Sequence, residues 1–124
     1  MEQKFYTCRH CGNIIAKIKD VGVPIMCCGQ KMEELAAGAV EAAGEKHVPV
    51  YVVEGCTVKV RVGSVDHPLL PEHFIEWVFL KTDRGSQLKQ LHPGEAPHAA
   101  FALTEGETVE AVYAYCNQHS LWRG

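Results

Sequence analysis

The residues able to do chemistry in this 124-residue chain fall into two groups. The first opens with C-R-H-C at 8–11, and the adjacent pair Cys27-Cys28 follows after fifteen intervening residues. Cys8, Cys11, Cys27 and Cys28 make a complete set of four sulfur donors, which suits Zn²⁺ or a single iron in a tetrahedral site. A structural zinc knuckle and an iron centre are equally compatible with the spacing. Adjacent cysteines are unusual ligands because neighbouring side chains diverge. Chelation by such a pair should open the S–metal–S angle beyond the tetrahedral value. His10, between the first two cysteines, is predicted to be exposed and uninvolved.

The second group is dispersed. Glu45-Lys46-His47 stands at the start of a β-branched stretch, His67 and His73 lie in V-D-H-P-L-L-P-E-H-F (65–74), and Cys116 and His119 lie in A-Y-C-N-Q-H-S-L-W (114–122). Each has a bland reading alone: a loop histidine is usually solvated, and Cys116 could be a buried thiol. Together they fit a five-coordinate site of four imidazoles and one thiolate, with a sixth position open. Such a donor set suits iron better than zinc, which prefers four ligands. Glu45 and Lys46 taken alone read as a solvated charge pair. A cation beside an open position would nonetheless draw in an anion that a net-negative protein otherwise repels. His92 and His98 match no ligand position, and Cys56 reads as a spare thiol in a turn.

These residues need elements to hold them. Residues 1–36 are cysteine-rich and poor in large apolar side chains, too short to bury a sufficient core and in need of a staple. Residues 37–44, A-G-A-V-E-A-A-G, read as a linker, and 45–124 as a β domain. T-V-K-V-R-V (57–62) alternates strictly, placing Val58, Val60 and Val62 on one face. Further strands are expected at 48–53, 74–80, 87–91, 99–103 and 108–115, the last of these closing the set. The 99–103 strand should be buried, and Trp77, Phe79 and Phe101 are core candidates. Turns are expected at Glu54-Gly55, Asp83-Arg84-Gly85, Pro93-Gly94 and Glu105-Gly106. The pattern is mainly β, an antiparallel sandwich behind a small metal-binding domain.

Composition narrows the function. A net charge of −3 with no Lys/Arg cluster argues against nucleic acid as a partner. No apolar run is long enough to span a bilayer, and the first residues carry no apolar leader. Six cysteines without a secretory signal favour metal ligation over disulfides, in a soluble cytoplasmic protein.

The chain resembles desulfoferrodoxin, the two-iron class of superoxide reductase, over essentially its whole length. The resembling residues are C-R-H-C with Cys27-Cys28, E-K-H-V-P-V (45–50), H-P (67–68), E-H-F-I-E-W (72–77), P-G-E-A-P (93–97) and Y-C-N-Q-H (115–119). The resemblance implies a desulforedoxin-like N-terminal domain holding an Fe(Cys)₄ centre and an immunoglobulin-like domain holding a catalytic Fe(His)₄(Cys) centre. Carried over, Cys8, Cys11, Cys27 and Cys28 would ligate the first iron. His47, His67, His73 and His119 would surround the second, with Cys116 axial. Glu45 would close on the oxidised iron and Lys46 would attract superoxide.

The implied reaction is O₂⁻ + e⁻ + 2H⁺ → H₂O₂, in a homodimer fed by a rubredoxin-like electron donor. Two other classes remain open on the residues alone: an electron-transfer or storage protein with saturated iron, and a zinc-stabilised binding module. Dismutation is a further enzymatic alternative. It differs in releasing O₂ and needing no external electron.

Overall fold

The computed structural model describes residues 2–39, 44–63 and 70–124. The predicted ligand His67 and the linker residues 40–43 lie outside the described residues, as does the side chain of Glu45. The chain divides into two compact units, Met1–Ala36 and Ala37–Gly124.

The first unit is built from five very short strands: β1 (Phe5–Thr7), β2 (Ile14–Ala16), β3 (Met26–Cys27), β4 (Gln30–Lys31) and β5 (Glu33–Glu34). β1 is central, pairing antiparallel with β2 and β5, while β3 and β4 form a separate ribbon. Its buried apolar side chains are few: Phe5, Cys8, Met32 and Leu35. At about 1.5–3 kcal/mol for each large side chain fully buried, so small a core falls well short of the chain entropy it must offset. Cross-linking by the cysteines is therefore a structural requirement of this unit.

The second unit begins with one helical turn, α1 (Gly44–His47), closed by Val48 N–H donating to Gly44 C=O at 2.9 Å. Seven strands follow: β6 (Pro49–Glu54), β7 (Thr57–Val62), β8 (Ile75–Thr82), β9 (Ser86–Gln90), β10 (His98–Ala102), β11 (Val109–Cys116) and β12 (Ser120–Arg123). They form two antiparallel sheets, ordered β10-β7-β6 and β12-β11-β8-β9, an immunoglobulin-like sandwich. The strict alternation of β7 buries Val58, Val60 and Val62 against Ile75, Val78 and Leu80 of β8 and Val112, Ala114 and Cys116 of β11. Truncating a buried leucine here, such as Leu80→Ala, should cost about 2–5 kcal/mol.

Three expectations need correction. β11 is not the final strand: after Cys116 the chain turns and returns as β12, paired Cys116↔Ser120 and Ala114↔Trp122. The 99–103 segment is only half buried, because the outer face of its sheet is solvated. Phe101 and Leu103 face inward while Ala100 and Ala102 are exposed. Of the aromatic core candidates, Phe79 and Phe101 are buried, but Trp77 is only partly so and stacks on Tyr115 at 5.4 Å.

An irregularity in the β8–β11 ladder bears on the site. Tyr115 pairs with Trp77, but Cys116 pairs with Ile75, so Glu76 is skipped. In regular register Glu76 would stand opposite Cys116 on the core face, since cross-strand partners share a face. The bulge substitutes Ile75, which is fully buried, and turns the carboxylate aside. Glu76 remains half-buried, and burial raises its pKa above the ordinary carboxylate value.

Candidate metal centres

The four N-terminal cysteines converge: their sulfur atoms all lie within 4.8 Å of one another. Cys8 and Cys11 occupy a tight loop closed by Gly12 N–H donating to Cys8 C=O at 2.9 Å, with Gly12 left-handed at φ 85°. The adjacent pair is accommodated by backbone conformation. Cys27 ends β3 and pairs with Gln30, leaving Cys28 and Gly29 as a two-residue hairpin loop. Both have positive φ, 53° and 73°, the signature of a type I′ turn. The left-handed backbone at Cys28 reorients its side chain so that both sulfurs reach the same centre, overcoming the divergence expected of neighbours.

The dimensions suit a tetrahedral ion. Sulfurs each about 2.3 Å from one ion would lie about 3.8 Å apart, and the Cys11–Cys27 separation is 3.6 Å. Cys8 is held down to about 6, chiefly by the backbone N–H of Cys11, whereas the neighbouring Cys11 and Cys8 sulfurs push Cys28 up to about 12. One sulfur ionises readily and its neighbours then resist a second negative charge. A bound cation would let all four sulfurs ionise together. His10 is exposed and outside the cluster, as expected.

The second cluster is assembled from three distant segments. His47 ends α1, His73 lies in the turn before β8, and Cys116 and His119 flank the β11–β12 turn. Their donor atoms also lie within 4.8 Å of one another. His119 Nδ1 is 3.1 Å from His47 Nε2 and 3.8 Å from Cys116 Sγ. Two imidazole nitrogens about 2.1 Å from one ion and at a right angle would be about 3.0 Å apart, so the pair is spaced as neighbouring ligands.

Burial is graded across this site. Cys116 and His47 are buried, while His73 and His119 are partly exposed and form its outer side. Burial lowers the pKa of His73, as do the charges of His119 and Lys46, favouring the neutral imidazole that ligates metals. Lys46, next to the ligand candidate His47 in sequence, is exposed. Burial pushes the Cys116 thiol up, and the amides of Gln118 and His119, directed at its sulfur, act in the opposite sense. A cation would favour the thiolate, and those amides would remain as hydrogen-bond donors to its sulfur.

Side-chain bonds to the backbone brace the ligand segments. Asn117 Oδ1 accepts from Phe74 N–H at 3.0 Å, and its Nδ2 donates to Glu72 C=O at 3.1 Å. Gln118 Nε2 donates to the same carbonyl at 2.6 Å. The two residues flanking His73 are thereby tied to the turn that carries Cys116 and His119. Sequence reasoning assigned Asn117 no role; its place between two predicted ligands was the available signal. Trp122 was also missed. It stacks on His47 with ring centroids 5.0 Å apart and donates Nε1–H to His119 C=O at 2.9 Å.

The predicted ligands Cys8, Cys11, Cys27 and Cys28 form one cluster and His47, His73, Cys116 and His119 the other. His92 and His98 are exposed and belong to neither. Cys56 is an exposed free thiol in the β6–β7 turn.

A four-sulfur knuckle and a separate sandwich with a histidine–thiolate cluster define a two-centre non-haem metalloprotein. Residues 39–124 match the family model described as desulfoferrodoxin. A desulfoferrodoxin of Nitratidesulfovibrio vulgaris is 40% identical over 122 residues, covering 98% of this chain and 95% of that one. A desulfoferrodoxin homolog of Archaeoglobus fulgidus is 40% identical over 118 residues, covering 95% and 93%. The superoxide reductase of Treponema pallidum superposes with a TM-score of 0.84 at 41% identity, covering 100% of this chain and 99% of that one. The chain belongs to the desulfoferrodoxin family. Both donor sets fit the family's iron centres, Fe(Cys)₄ and Fe(His)₄(Cys), with three of the four histidines among the described residues.

Proposed function

We propose that this protein is a superoxide reductase, converting superoxide to hydrogen peroxide by the one-electron, two-proton reaction given above. The observation that carries the reading is the convergence of His47, His73, Cys116 and His119 from three segments. In this reading His47, His73, Cys116 and His119, together with His67, would hold the catalytic iron. Cys8, Cys11, Cys27 and Cys28 hold the second iron. When bound, the catalytic ferrous ion supplies the electron and an open position for a small anion.

The remaining work falls to side chains. Lys46, exposed and adjacent to His47 in sequence, offers a local positive potential on a protein whose net charge is −3. In this reading it would raise the encounter rate of a diatomic anion and help position a proton-donating water. Glu45, next to Lys46 in sequence, would supply a carboxylate able to bind the oxidised iron reversibly. Cys116 supplies a negative donor whose strength is moderated by the Gln118 and His119 amides. Asn117 and Gln118 keep His73 in register with the thiolate.

Reducing equivalents would come from a rubredoxin-like protein, with the Fe(Cys)₄ centre able to accept them. The partner in assembly would be a second copy. β6 supports this, because it is an edge strand whose Val50, Val52 and Val53 are solvent-exposed, a surface that proteins usually cover. A cytoplasmic setting suits six cysteines, all free. Among the described residues no helix is long and apolar enough to cross a membrane.

The test is superoxide decay in the presence of the reduced, iron-loaded protein and of the same protein loaded with zinc. The iron form should remove superoxide far faster than it decays spontaneously, and the zinc form should not. Identical decay with both metals would overturn the assignment.

A further inference from the structure

We propose that Trp122 is a positioning residue of the second centre, locking the His47 ring and the His119 backbone into one rigid unit. The proposal deepens the functional reading and rests on its assignment of these histidines as ligands.

Trp122 occupies a specific place in the fold. It pairs with Ala114 in the β11–β12 ladder, and Cys116 pairs with Ser120. Cross-strand partners share a face, so Trp122, Ala114 and Cys116 lie on the same inward side of the sheet. The small Ala114 leaves room for the indole, which is buried at 7% exposure. From there the ring reaches both histidines. Its face lies against His47, 30° from parallel, and its N–H satisfies the His119 carbonyl. His47 and His119 are themselves edge to face at 4.8 Å, so the three rings brace one another in sequence.

The surrounding backbone makes this arrangement stiff. Gly124, two residues beyond Trp122, exchanges backbone hydrogen bonds with Val112. It also sits so close to Pro49, two residues beyond His47, that a Cβ at Gly124 would come within 1.8 Å of the Pro49 carbonyl oxygen. The end of β12 is therefore seated directly on the segment leaving His47. An imidazole on a solvated loop can rotate about two side-chain bonds and loses that freedom on binding an ion. Here the indole has removed much of that freedom beforehand, and its apolar body shields the buried side of the ligand ring from water. Partners that orient ligating histidines typically change metal affinity by about 10–100-fold when removed.

Two substitutions separate the contributions. Trp122→Phe keeps an aromatic face against His47 and loses the N–H, and Trp122→Leu loses both. The full-length metal-free protein is titrated with Co²⁺, and the nitrogen-rich site is followed by its own visible bands, distinct from those of the four-thiolate site. The expected order of affinity at the nitrogen-rich site is wild type, then Phe about tenfold weaker, then Leu about 100-fold weaker. Its bands should broaden in the same order, while Co²⁺ affinity at the four-thiolate site stays unchanged. If folded Trp122→Leu binds with wild-type affinity and unaltered bands, the proposal is overturned. Should Trp122→Leu fail to fold, Trp122→Phe decides alone, and wild-type affinity and bands in that variant overturn it. Absence of nitrogen-site bands in the wild type would overturn the ligand assignment, and this inference with it. Binding in the wild type that the variants leave untouched would overturn the inference alone.

Discussion

Replacing Asn117 by alanine isolates the brace between the two halves of the histidine–thiolate site. The substitution removes two hydrogen bonds, from Phe74 N–H at 3.0 Å and to Glu72 C=O at 3.1 Å. The backbone bond from Asn117 N–H to Phe74 C=O at 3.2 Å remains, and Gln118 still donates to Glu72 C=O. A neutral hydrogen bond contributes about 0.5–1.5 kcal/mol net, and water can partly replace these because Asn117 is exposed. The global loss should therefore be about 1 kcal/mol, visible as a lower midpoint in urea without a change in slope.

The local consequence should exceed that figure in importance. Glu72 and Phe74 flank His73, so loosening both frees one ligand, and Co²⁺ affinity at the nitrogen-rich site should fall about tenfold. Binding at the four-thiolate site should not change. Asn117→Asp, which keeps the acceptor oxygen, should recover part of the affinity. Loss of stability with unchanged Co²⁺ affinity at the nitrogen-rich site would refute the argument that the brace positions His73.

Three further outcomes are expected. Lys46→Ala should slow the bimolecular reaction of the reduced protein with superoxide several-fold and flatten its salt dependence, as pulse radiolysis across ionic strengths would show. Ser120 has φ 65°, a left-handed conformation disfavoured by about 1–2 kcal/mol for a residue with a Cβ. Ser120→Gly should relieve part of that cost, raising the thermal midpoint by a few degrees with the turn intact. Asp20 is held down to about 2, first by the Gly22 backbone N–H and then by Lys17, against an ordinary 3.8. Its contribution to the first unit is complete above the unfolded value and is lost as pH falls from about 4 to about 2. The stability gap between wild type and Asp20→Asn, measured by denaturation, should close across that window.

Legibility in the sequence followed the locality of the interactions. The four cysteines lie within a single 36-residue unit, and C-x-x-C spacing constrains a loop directly, so the cluster could be read before any fold was known. The strict alternation of Val58, Val60 and Val62 likewise identified the inward face of β7. The His–Cys centre was less accessible, because its ligands come from three segments tens of residues apart and become a set only through the sandwich topology. β12 escaped because its turn carries no glycine; Ser120 takes the left-handed position where glycine would have signalled a hairpin. Trp122 and Asn117 escaped with it, since their roles depend on a ring stack with a distant histidine and on side-chain bonds to backbone across 43 and 45 positions. The adjacent cysteines posed a geometric problem that composition could state but not solve. The solution lies in the backbone dihedral of Cys28. The skipped pairing at Glu76 is of the same kind, a register event without a local sequence mark.

The most direct test of the proposed function is the peroxide yield when fully reduced, iron-loaded protein, held anaerobically, meets a limiting amount of superoxide. One hydrogen peroxide per superoxide, with no O₂ released, is the predicted result. Half that yield with O₂ evolved would mean dismutation and contradict the account.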